Sequence, residues 1–299
     1  MSESSFPDFF QEQRNRVDQA LDQWLPSEDE DPALLNQSMR YSIFNGGKRL
    51  RGVLVREAGR LGASPQQSVL DICSASIEMI HAYSLIHDDL PAMDDDDYRR
   101  GHPTNHREYG EDIAILAGDA LLTRAFEILG QLSEEGLDKE TTIRAITLVG
   151  SHSGGLGLIG GQVGDLTVDP EQADVDVLQD IHERKTGALM ALSLQLGGLA
   201  GGLNGDQLTA LESFGRKIGL AFQIKDDLLE LEGDVEQLGK DANSDRDGDK
   251  LTYPRLLGKE KASNRAEELL DQAGSVLEGS IDSSDRLLEL ARFVLDRNH

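Results

Sequence analysis

Apolar residues recur at spacings of three and four along most of the chain, as in helices that bury one face. This pattern predicts helices over the stretches 33–61, 69–90, 113–132, 141–149, 175–196, 207–231 and 262–295. Glycines and prolines separate these stretches, and no alternating apolar and polar run predicts a strand. The sequence therefore predicts an all-α fold, in which residues 1–299 form one domain, a bundle of about ten or more helices around a central cavity.

Charge and cysteine content narrow the classes of partner and compartment. The 299 residues carry a net charge of −26, which argues against nucleic acid or an anionic membrane surface as a partner. A single cysteine permits no internal disulfide, and residues 1–24 lack the pattern of a secretion signal, so we expect a cytoplasmic protein. The acidic excess fits a saline habitat or merely a soluble surface, and the sequence leaves both readings open.

One uncharged stretch, 186–205, is apolar enough to resemble a membrane span. It contains two glycine pairs and the polar residues Gln195 and Asn204. These features favour a buried helix that ends in a glycine turn, and we predict no membrane insertion.

Two acidic clusters, 88–94 and 226–230, lie in apolar surroundings. Carboxylates concentrated in this way repel one another and lose hydration, so each cluster needs compensating positive charge. Hard oxygen ligands select Mg²⁺ or Mn²⁺, and the adjacent Arg99 and Arg100 indicate that the metal also binds phosphate. The alternative is a solvated acidic helix end, to which we assign residues 95–97.

The spacing within the two clusters differs. Asp226 and Glu230 are four residues apart, one turn plus ~40°, so both project from one helix face. Asp88 and Asp94 are six apart and point ~120° away from each other on a regular helix, so they share a metal only if the helix bulges. Pro91 predicts such a bulge, because it lacks an amide proton and clashes with the carbonyl four residues earlier.

Basic residues predict a second anion site. The segment 46–51 reads Gly-Gly-Lys-Arg-Leu-Arg, in which glycines allow the backbone to approach an anion and cations hold it. His81 precedes Asp88 by seven residues, nearly two turns, and so shares its helix face. Alone, a helical histidine is usually structural. Here it joins three cations in a predicted diphosphate site: Lys48, Arg51 and Arg100.

Six motifs resemble, in order, those of the trans-isoprenyl diphosphate synthases, with the bacterial farnesyl diphosphate synthases as the nearest branch. They are the segments 46–51, 87–94, 99–101, 160–162, 185–187 and 222–227, and the resemblance extends from about residue 35 to 257. It implies an enzyme that condenses isopentenyl diphosphate with dimethylallyl and then geranyl diphosphate to give farnesyl diphosphate. It also implies a cytoplasmic homodimer.

The resemblance also implies a role for individual residues. Isopentenyl diphosphate would be held by Lys48, Arg51, His81 and Arg100. The allylic diphosphate would be held by Arg99, Lys185, Thr186, Gln223 and Lys240, of which Lys185, Thr186 and Gln223 also face the carbocation. Up to three Mg²⁺ ions would lie between Asp88, Asp94 and Asp226, with Asp89, Asp227 and Glu230 partly in the outer shell. Chain length would be set by Tyr83 and Ser84.

The sequence departs from the family pattern at a few positions, and some other functions have to be weighed against an enzyme that makes farnesyl diphosphate. Gly52 replaces the usual proline, which we expect to loosen the start of the helix without removing a phosphate donor. Glu230 replaces the usual aspartate, and the acidic segment 241–249 suggests a lid more than a cation site. A C20 or C10 product is the nearest alternative. A terpene cyclase would not need the basic residues around His81, and a non-catalytic subunit would be expected to lose acids from one cluster, whereas both clusters are present.

Overall fold

The computed structural model describes residues 5–63, 66–237 and 251–295, without the side chains of residues 232–237. Helices make up nearly all of the regular structure in these ranges, which confirms the predicted all-α class. The chain divides into two compact units. Unit 1 comprises Met1–Leu148 with Leu196–Leu203, and unit 2 comprises Val149–Gln195 with Asn204–His299. The single domain over residues 1–299 stays a prediction.

Unit 1 contains a long central helix with shorter helices packed against it. Its helices are α1 (Phe6–Trp24), α2 (Ala33–Phe44), α3 (Leu50–Arg60), α4 (Gln67–Asp88), α5 (Asn105–Tyr109), α6 (Glu111–Leu129) and α7 (Lys139–Ser153), whose last residues belong to unit 2. A 3-10 turn, Gly130–Ser133, follows α6. In the described part of the chain, α4 alone is long and apolar enough to cross a membrane, and 83% of that window is buried inside the protein.

Unit 2 is organised around its longest helix. Its elements are α8 (Leu158–Thr167), α9 (Val175–His182), a π-helix (Glu183–Gly187), α10 (Ala188–Ala200, ending in unit 1), α11 (Gly205–Gln237), α12 (Tyr253–Leu257), α13 (Lys259–Glu278) and α14 (Asp285–Leu295). Apolar residues of α9, α11, α12 and α13 form one buried cluster that includes Ile224 and Tyr253. This cluster fixes the part of α11 that carries the second acidic segment.

Helix α10 confirms that the uncharged stretch is buried. Its central residues Met190, Leu192 and Leu194 are fully enclosed, and Gly202 ends the following turn with a φ of +81°. The glycines also serve close packing within unit 1, because a Cβ on Gly197 would lie 2.0 Å from the carbonyl oxygen of Val55. Bulkier residues would push the two helices apart.

Backbone angles explain where the predicted helices were too long. The stretch 33–61 breaks into α2 and α3, because Gly46, Gly47 and Arg49 have φ values of +98°, +109° and +54°, which a right-handed helix does not allow. The stretch 262–295 is likewise divided, and Ser283 in the break has a φ of +61°.

The prediction of no strand was wrong. The two-residue strands β1 (Tyr98–Arg99) and β2 (His102–Pro103) pair antiparallel. Arg100 and Gly101 between them have φ values of +55° and +81°, as in the tight turns that join such strands. The hairpin is too short to produce the alternating pattern that marks a strand in sequence.

Candidate active site

The glycine-rich segment of unit 1 packs against Arg100. Nη1 of Arg100 donates a hydrogen bond to the carbonyl oxygen of Gly46 at 3.1 Å. A Cβ on Gly47 would lie 2.8 Å from Nη1 of Arg100 and 3.0 Å from Nη1 of Arg49. The two glycines therefore provide the positive φ of the loop and the space for two guanidinium groups.

His81 lies among these cations. Burial lowers the pKa of His81 well below its usual range, and the positive charges of Arg51, Arg100, Arg99 and Arg49 lower it further. The imidazole is therefore neutral at pH 7 and carries one N–H donor. A cavity that is partly open to solvent is lined by residues that include His81, Arg49, Arg99 and Arg100. We call this cavity the basic pocket; its charge suits a polyanion such as a diphosphate.

The other predicted ligands of this site lie on the loop and at the start of α3. Lys48 is exposed on the loop, and Arg51 is half-buried in the first turn of the helix. The charge of Arg51 acts on His81, so the structure brings this predicted pair together. Lys48 shares the loop with Gly47, against which Arg100 packs.

Sequence reasoning missed two supports of the basic pocket. Arg49 is buried, and its Nε pairs with Oδ1 of Asp18 at 2.6 Å. Glu78 is also buried, and its Oε1 accepts a hydrogen bond from the amide of Gly52 at 2.8 Å. We expected Gly52 only to loosen the start of α3. The structure shows instead that its amide, which a proline would lack, satisfies a buried carboxylate. Glu78 could have been found from the sequence, because it is an acidic residue within the apolar helix α4.

The first acidic cluster forms at the end of α4. The helix ends at Asp88, and the chain then turns so that the amide of Asp94 donates to the carbonyl oxygen of Asp88 at 2.8 Å. The predicted bulge within a continuing helix is therefore wrong, because the turn replaces the helix. Asp94 still returns to the backbone of Asp88. Residues 95–97 are exposed, as expected of a solvated acidic segment.

Asp89 has a different environment from Asp88. Asp89 is 3% exposed, and Nε of Arg99 donates to its Oδ1 at 2.6 Å. Burial raises the pKa of Asp89, and Arg99 opposes this rise. Burial alone would lower the pKa of Arg99, but the hydrogen bond and charge of Asp89 raise it. Asp89 thus holds Arg99, which sequence reasoning had assigned directly to the allylic diphosphate.

Tyr83 and Ser84 lie one turn before Asp88 on α4. Tyr83 is buried, and its ring contacts that of His87 edge to face at 5.8 Å between centroids. Burial raises the pKa of Tyr83 to about 12, with a further contribution from the charge of Asp88. Oγ of Ser84 donates to the carbonyl oxygen of His81 at 2.9 Å. A Cβ on Gly118 would meet Nε2 of His87 at 2.2 Å, so that glycine allows this packing.

In unit 2, the glycine motif 160–162 lies against the predicted substrate lysine. A Cβ on Gly161 would lie 2.3 Å from the amide nitrogen of Lys185. Nζ of Lys185 is 2.6 Å from Oδ2 of Asp165 on the same helix as Gly161. Asp165 was not predicted, since it lies 20 residues from Lys185 and meets it only through packing. The side-chain amide of Gln162 is buried and makes no hydrogen bond to the described residues.

Thr186 and Gln223 are hydrogen-bonded to each other. Thr186 lies in the π-helix, and its Oγ1 is 3.0 Å from Oε1 of Gln223 on α11. A π-turn often occurs at functional sites, because it rotates the residues that it contains out of the regular helical positions. A Cβ on Gly219 would lie 2.7 Å from Cα of Gly187, so glycine allows the π-helix and α11 to approach. The structure therefore brings two predicted catalytic residues together.

The second acidic cluster lies on an unbroken part of α11, which gives Asp226 and Glu230 the predicted helical spacing. Asp227 is 3% exposed. Its Oδ1 is 3.3 Å from Nε2 of Gln223, and its Oδ2 accepts from the amide of Tyr253 at 3.0 Å. Asp226 is half-buried and Glu230 is exposed. The predicted ligand Lys240 lies outside the described residues.

The donor chemistry of the clusters fits a hard divalent cation. Asp88, Asp94 and Asp226 offer carboxylate oxygens and are half-buried or exposed, whereas Asp89 and Asp227 are buried against other partners. Within the described residues, no group of three or more acidic, histidine or cysteine side chains is gathered as a metal site. The carboxylates suit Mg²⁺ by ligand type.

The chain shares its family with known enzymes. The family model for polyprenyl synthetase matches residues 32–289. The chain is 45% identical to farnesyl diphosphate synthase of Escherichia coli over 268 residues, 88% of this chain and 89% of the relative. It is 42% identical to geranylgeranyl pyrophosphate synthase 7 of Arabidopsis thaliana, with 95% of this chain and 82% of the relative covered. The chain therefore belongs to the polyprenyl synthetase family.

A solved structure shows the same fold. The chain matches the FPP/GFPP synthase of Zymomonas mobilis with a TM-score of 0.84 and 35% identity, over 97% of this chain and 98% of that one. The resemblance read from six motifs is thus confirmed at the level of the family.

Proposed function

We propose that the protein condenses isopentenyl diphosphate with dimethylallyl diphosphate and then with geranyl diphosphate, head to tail, to give farnesyl diphosphate. The observation that carries this proposal is the basic pocket, in which Arg49, Arg99 and Arg100 line a cavity together with a neutral His81. The charge of Arg51 acts on the same histidine. A cyclase with one diphosphate substrate has no use for an anion pocket apart from its acidic clusters. An elongating enzyme needs two diphosphate sites, and the similarity to named farnesyl diphosphate synthases supports this assignment.

The two substrates bind to different residues. Isopentenyl diphosphate is held by Lys48, Arg51, His81 and Arg100. The allylic diphosphate is held by Lys185, Thr186 and Gln223, with Arg99 and Lys240. The ion pair between Lys185 and Asp165 keeps the lysine extended until the substrate exchanges with the carboxylate. Arg99 is oriented by Asp89 in the same way.

Asp88, Asp94 and Asp226 are the residues that would hold Mg²⁺, up to three ions per site, with Mn²⁺ as a possible substitute. When bound, Mg²⁺ supplies the positive charge that stabilises the departing diphosphate. The half-buried Asp88 and Asp226 retain access to solvent, which allows ions to enter with the substrate.

The reaction is a substitution at the allylic carbon. The C–O bond breaks and its electron pair leaves with the diphosphate, while the alkene of isopentenyl diphosphate supplies the pair for the new C–C bond. The resulting cation loses a proton to the released diphosphate, so no side chain is needed as a general base. Thr186 and Gln223 present oxygen dipoles to the developing positive charge. Water must be excluded from this step, because it would otherwise capture the cation.

Product length is the finer part of this proposal. Tyr83 is a buried aromatic residue five positions before Asp88 and forms the floor of the cavity into which the chain grows, while Ser84 is the small residue beside it. An aromatic floor stops growth at C15. The 42% identity to a geranylgeranyl pyrophosphate synthase keeps a C20 product as the second candidate.

A cytoplasmic homodimer completes the proposal. Ile115 and Leu116 on α6 and Ile143 on α7 are 44%, 52% and 64% exposed, and an interface with a second copy would bury apolar residues of this kind. Light scattering tests this directly, since a particle of 32.7 kDa at micromolar concentration contradicts the dimer. The net charge of −26 disfavours nucleic acid as a partner.

Product analysis tests the activity. Purified protein is incubated with Mg²⁺, dimethylallyl diphosphate and isopentenyl diphosphate, and the products are identified by mass spectrometry. We expect C15 farnesyl diphosphate through a C10 intermediate. Omitting isopentenyl diphosphate is the control: a cyclised or hydrolysed product in its absence indicates a cyclase, and the absence of product in both reactions indicates a non-catalytic subunit.

A further inference from the structure

Unit 2 contains a continuous chain of hydrogen bonds that ends at the proposed catalytic threonine. Oγ1 of Thr186 is 3.0 Å from Oε1 of Gln223, and Nε2 of Gln223 is 3.3 Å from Oδ1 of Asp227. Oδ2 of Asp227 is 3.0 Å from the amide nitrogen of Tyr253. The chain therefore connects the π-helix, α11 and the first residue of α12.

The chemistry of the members fixes the direction of every bond. The amide of Tyr253 can only donate, and a carboxylate can only accept, so Asp227 is the acceptor end of the chain. The amide group of Gln223 must then turn its nitrogen toward Asp227, because its oxygen would face another oxygen. This orientation places Oε1 of Gln223 toward Thr186, whose hydroxyl must donate to it. The hydroxyl hydrogen is thereby used, and the lone pairs of Oγ1 point elsewhere.

We propose that Asp227 is a positioning residue for prenyl transfer: it sets the direction of this chain, so that Thr186 presents oxygen lone pairs, and not a hydrogen, to the allylic cation. The inference rests on the proposed function, because it gives Thr186 a cation to face. A hydroxyl that presents its hydrogen would repel the cation, whereas one that presents lone pairs attracts it. Asp227 acts through Gln223 and Thr186 without touching the substrate.

This role explains why Asp227 is held so firmly. The carboxylate is 3% exposed, and each of its oxygens has a donor from a different element. Gln223 cannot rotate its amide group while Asp227 accepts from it, because the rotation would break two hydrogen bonds of the chain and create an oxygen–oxygen contact. The orientation is therefore set before substrate binds, as required for electrostatic stabilisation of a cation.

The variant Asp227→Asn reverses the chain without changing its shape. The introduced asparagine would accept from Tyr253 with its oxygen and donate to Gln223 with its nitrogen, so the amide group of Gln223 would turn over. Thr186 would then accept from Gln223 and direct its hydrogen toward the substrate. Two probes measure the consequence: an ammonium analogue of dimethylallyl diphosphate, charged where the cation forms, and its neutral carbon analogue. Both carry the same diphosphate, so effects on Mg²⁺ and diphosphate binding cancel in the ratio of their affinities.

Calorimetry with Mg²⁺ gives this ratio for each variant. We expect Asp227→Asn to lower the preference for the ammonium analogue by about tenfold or more, as for loss of a hydrogen bond to a charged group. In a Thr186→Val background the same substitution should have a clearly smaller effect on the ratio, since no hydroxyl remains to reorient and only the dipole of Gln223 turns over. A Thr186→Ser background keeps a hydroxyl, so in it Asp227→Asn should again lower the preference for the ammonium analogue. An equal loss in the Thr186→Val background would show that the lost charge acts alone and would overturn the inference.

A second variant tests the relay without altering charge. Gln223→Met has a similar volume and interrupts the chain while Asp227 stays in place, and it should also lower the preference for the ammonium analogue. Thermal melts establish that each variant is folded. If Asp227→Asn does not fold, Gln223→Met is compared with and without Thr186→Val: a loss that is smaller without the hydroxyl supports the relay, and an equal loss shows that only the dipole of Gln223 acts and overturns it. An unchanged ratio in a folded variant overturns the inference but not the proposed function. Wild-type protein that binds neither analogue and yields no C15 product overturns both.

Discussion

The two units contain the same tripeptide, Asp-Asp-Leu, at 88–90 and 226–228, and treat its second aspartate differently. Asp89 and Asp227 are each 3% exposed. Asp89 pairs with the positive charge of Arg99, whereas Asp227 accepts hydrogen bonds from the side-chain amide of Gln223 and the backbone amide of Tyr253. A repeated motif therefore need not repeat a role. Asp89 holds a cation suited to phosphate, and Asp227 holds the side-chain amide that we propose to orient toward a carbocation.

The first aspartates are alike where the second ones differ. Asp88 and Asp226 are both half-buried, and both offer hard oxygen ligands. The comparison thus separates two functions within each motif: the first residue is the one that we propose for the metal, and the second fixes a neighbouring side chain. Mutations can separate them further.

The largest expected effect comes from the first aspartates. Asp88→Asn and Asp226→Asn should each lower turnover by ~10³-fold or more, because each weakens metal coordination at the ionisation step and leaves side-chain volume unchanged. Steady-state rates under saturating Mg²⁺ and substrates measure the effect. Asp95→Asn is the matched control, an exposed residue at positive φ that asparagine tolerates, and it should retain full activity. Turnover within tenfold of wild type in either cluster variant would remove that residue from the metal site.

Removal of Arg99 tests the ion pair of unit 1. Arg99→Ala should reduce the free energy of unfolding by about 3 kcal/mol, the lower end of the range for breaking a buried pair, because Arg99 itself is partly exposed. Urea denaturation measures this change. Arg107→Ala breaks the exposed pair with Asp97 and should cost only about 0–1 kcal/mol. Equal losses for the two variants would mean that Asp89 does not depend on its charged partner.

Truncation of Tyr83 tests the floor of the growing chain. Tyr83→Ala opens space for at least one more C5 unit, so the product should shift toward C20 with little change in the first condensation. Mass spectrometry of the products measures the shift. Tyr83→Phe keeps the ring and should still give C15. A folded alanine variant that makes only C15, with a stability loss of ~3 kcal/mol, would show that Tyr83 only packs against its neighbours.

The smallest expected effect is a pH dependence from His81. A histidine whose pKa is lower in the folded state than its ordinary 6.5 stabilises the fold above that pH, and this contribution is lost as the pH falls below it. Stability of the substrate-free protein should therefore fall between pH 7 and 5.5 by up to about 1.4 kcal/mol per pH unit for this group. His81→Asn should flatten the dependence in that window. Parallel curves for the two proteins would show that His81 does not titrate with folding.

The helical class and the family could be read from the sequence, because apolar spacing and six local motifs carry that information. The roles of the site residues that the motifs name stay predictions. Helix α1 was missed, since its apolar positions are sparse among charged residues, although Ser5 caps it and a proline lies in its first turn. Arg49 and Ser283, which lie in the breaks between helices, have a positive φ although residues of these types usually avoid it. Apolar spacing does not predict such a backbone angle.

The partners of the site residues were harder to predict than the residues themselves. The motifs identified Lys185 and Arg99 but not that Asp165 and Asp89 hold them, because such pairs depend on how elements pack. The role of Gly52 was misread for the same reason, since its amide bonds to Glu78, 26 residues away in sequence. The sequence identifies the charged and polar side chains of the site. Which of these side chains hold the others in place depends on how the helices pack.

The most direct test of the central claim is a matrix of Michaelis constants for two variants and two substrates. Arg51→Ala, which removes a charge that acts on His81 of the basic pocket, should raise the constant for isopentenyl diphosphate by about 10- to 100-fold, the loss of one charge-assisted contact. It should change the constant for the allylic substrate by less than about threefold. Lys185→Ala should instead raise the Michaelis constant for the allylic substrate and leave that for isopentenyl diphosphate nearly unchanged. Lys48→Ala should follow Arg51→Ala. The opposite pattern would show that the two diphosphate sites are exchanged, and equal effects on both substrates in both variants would contradict two separate sites.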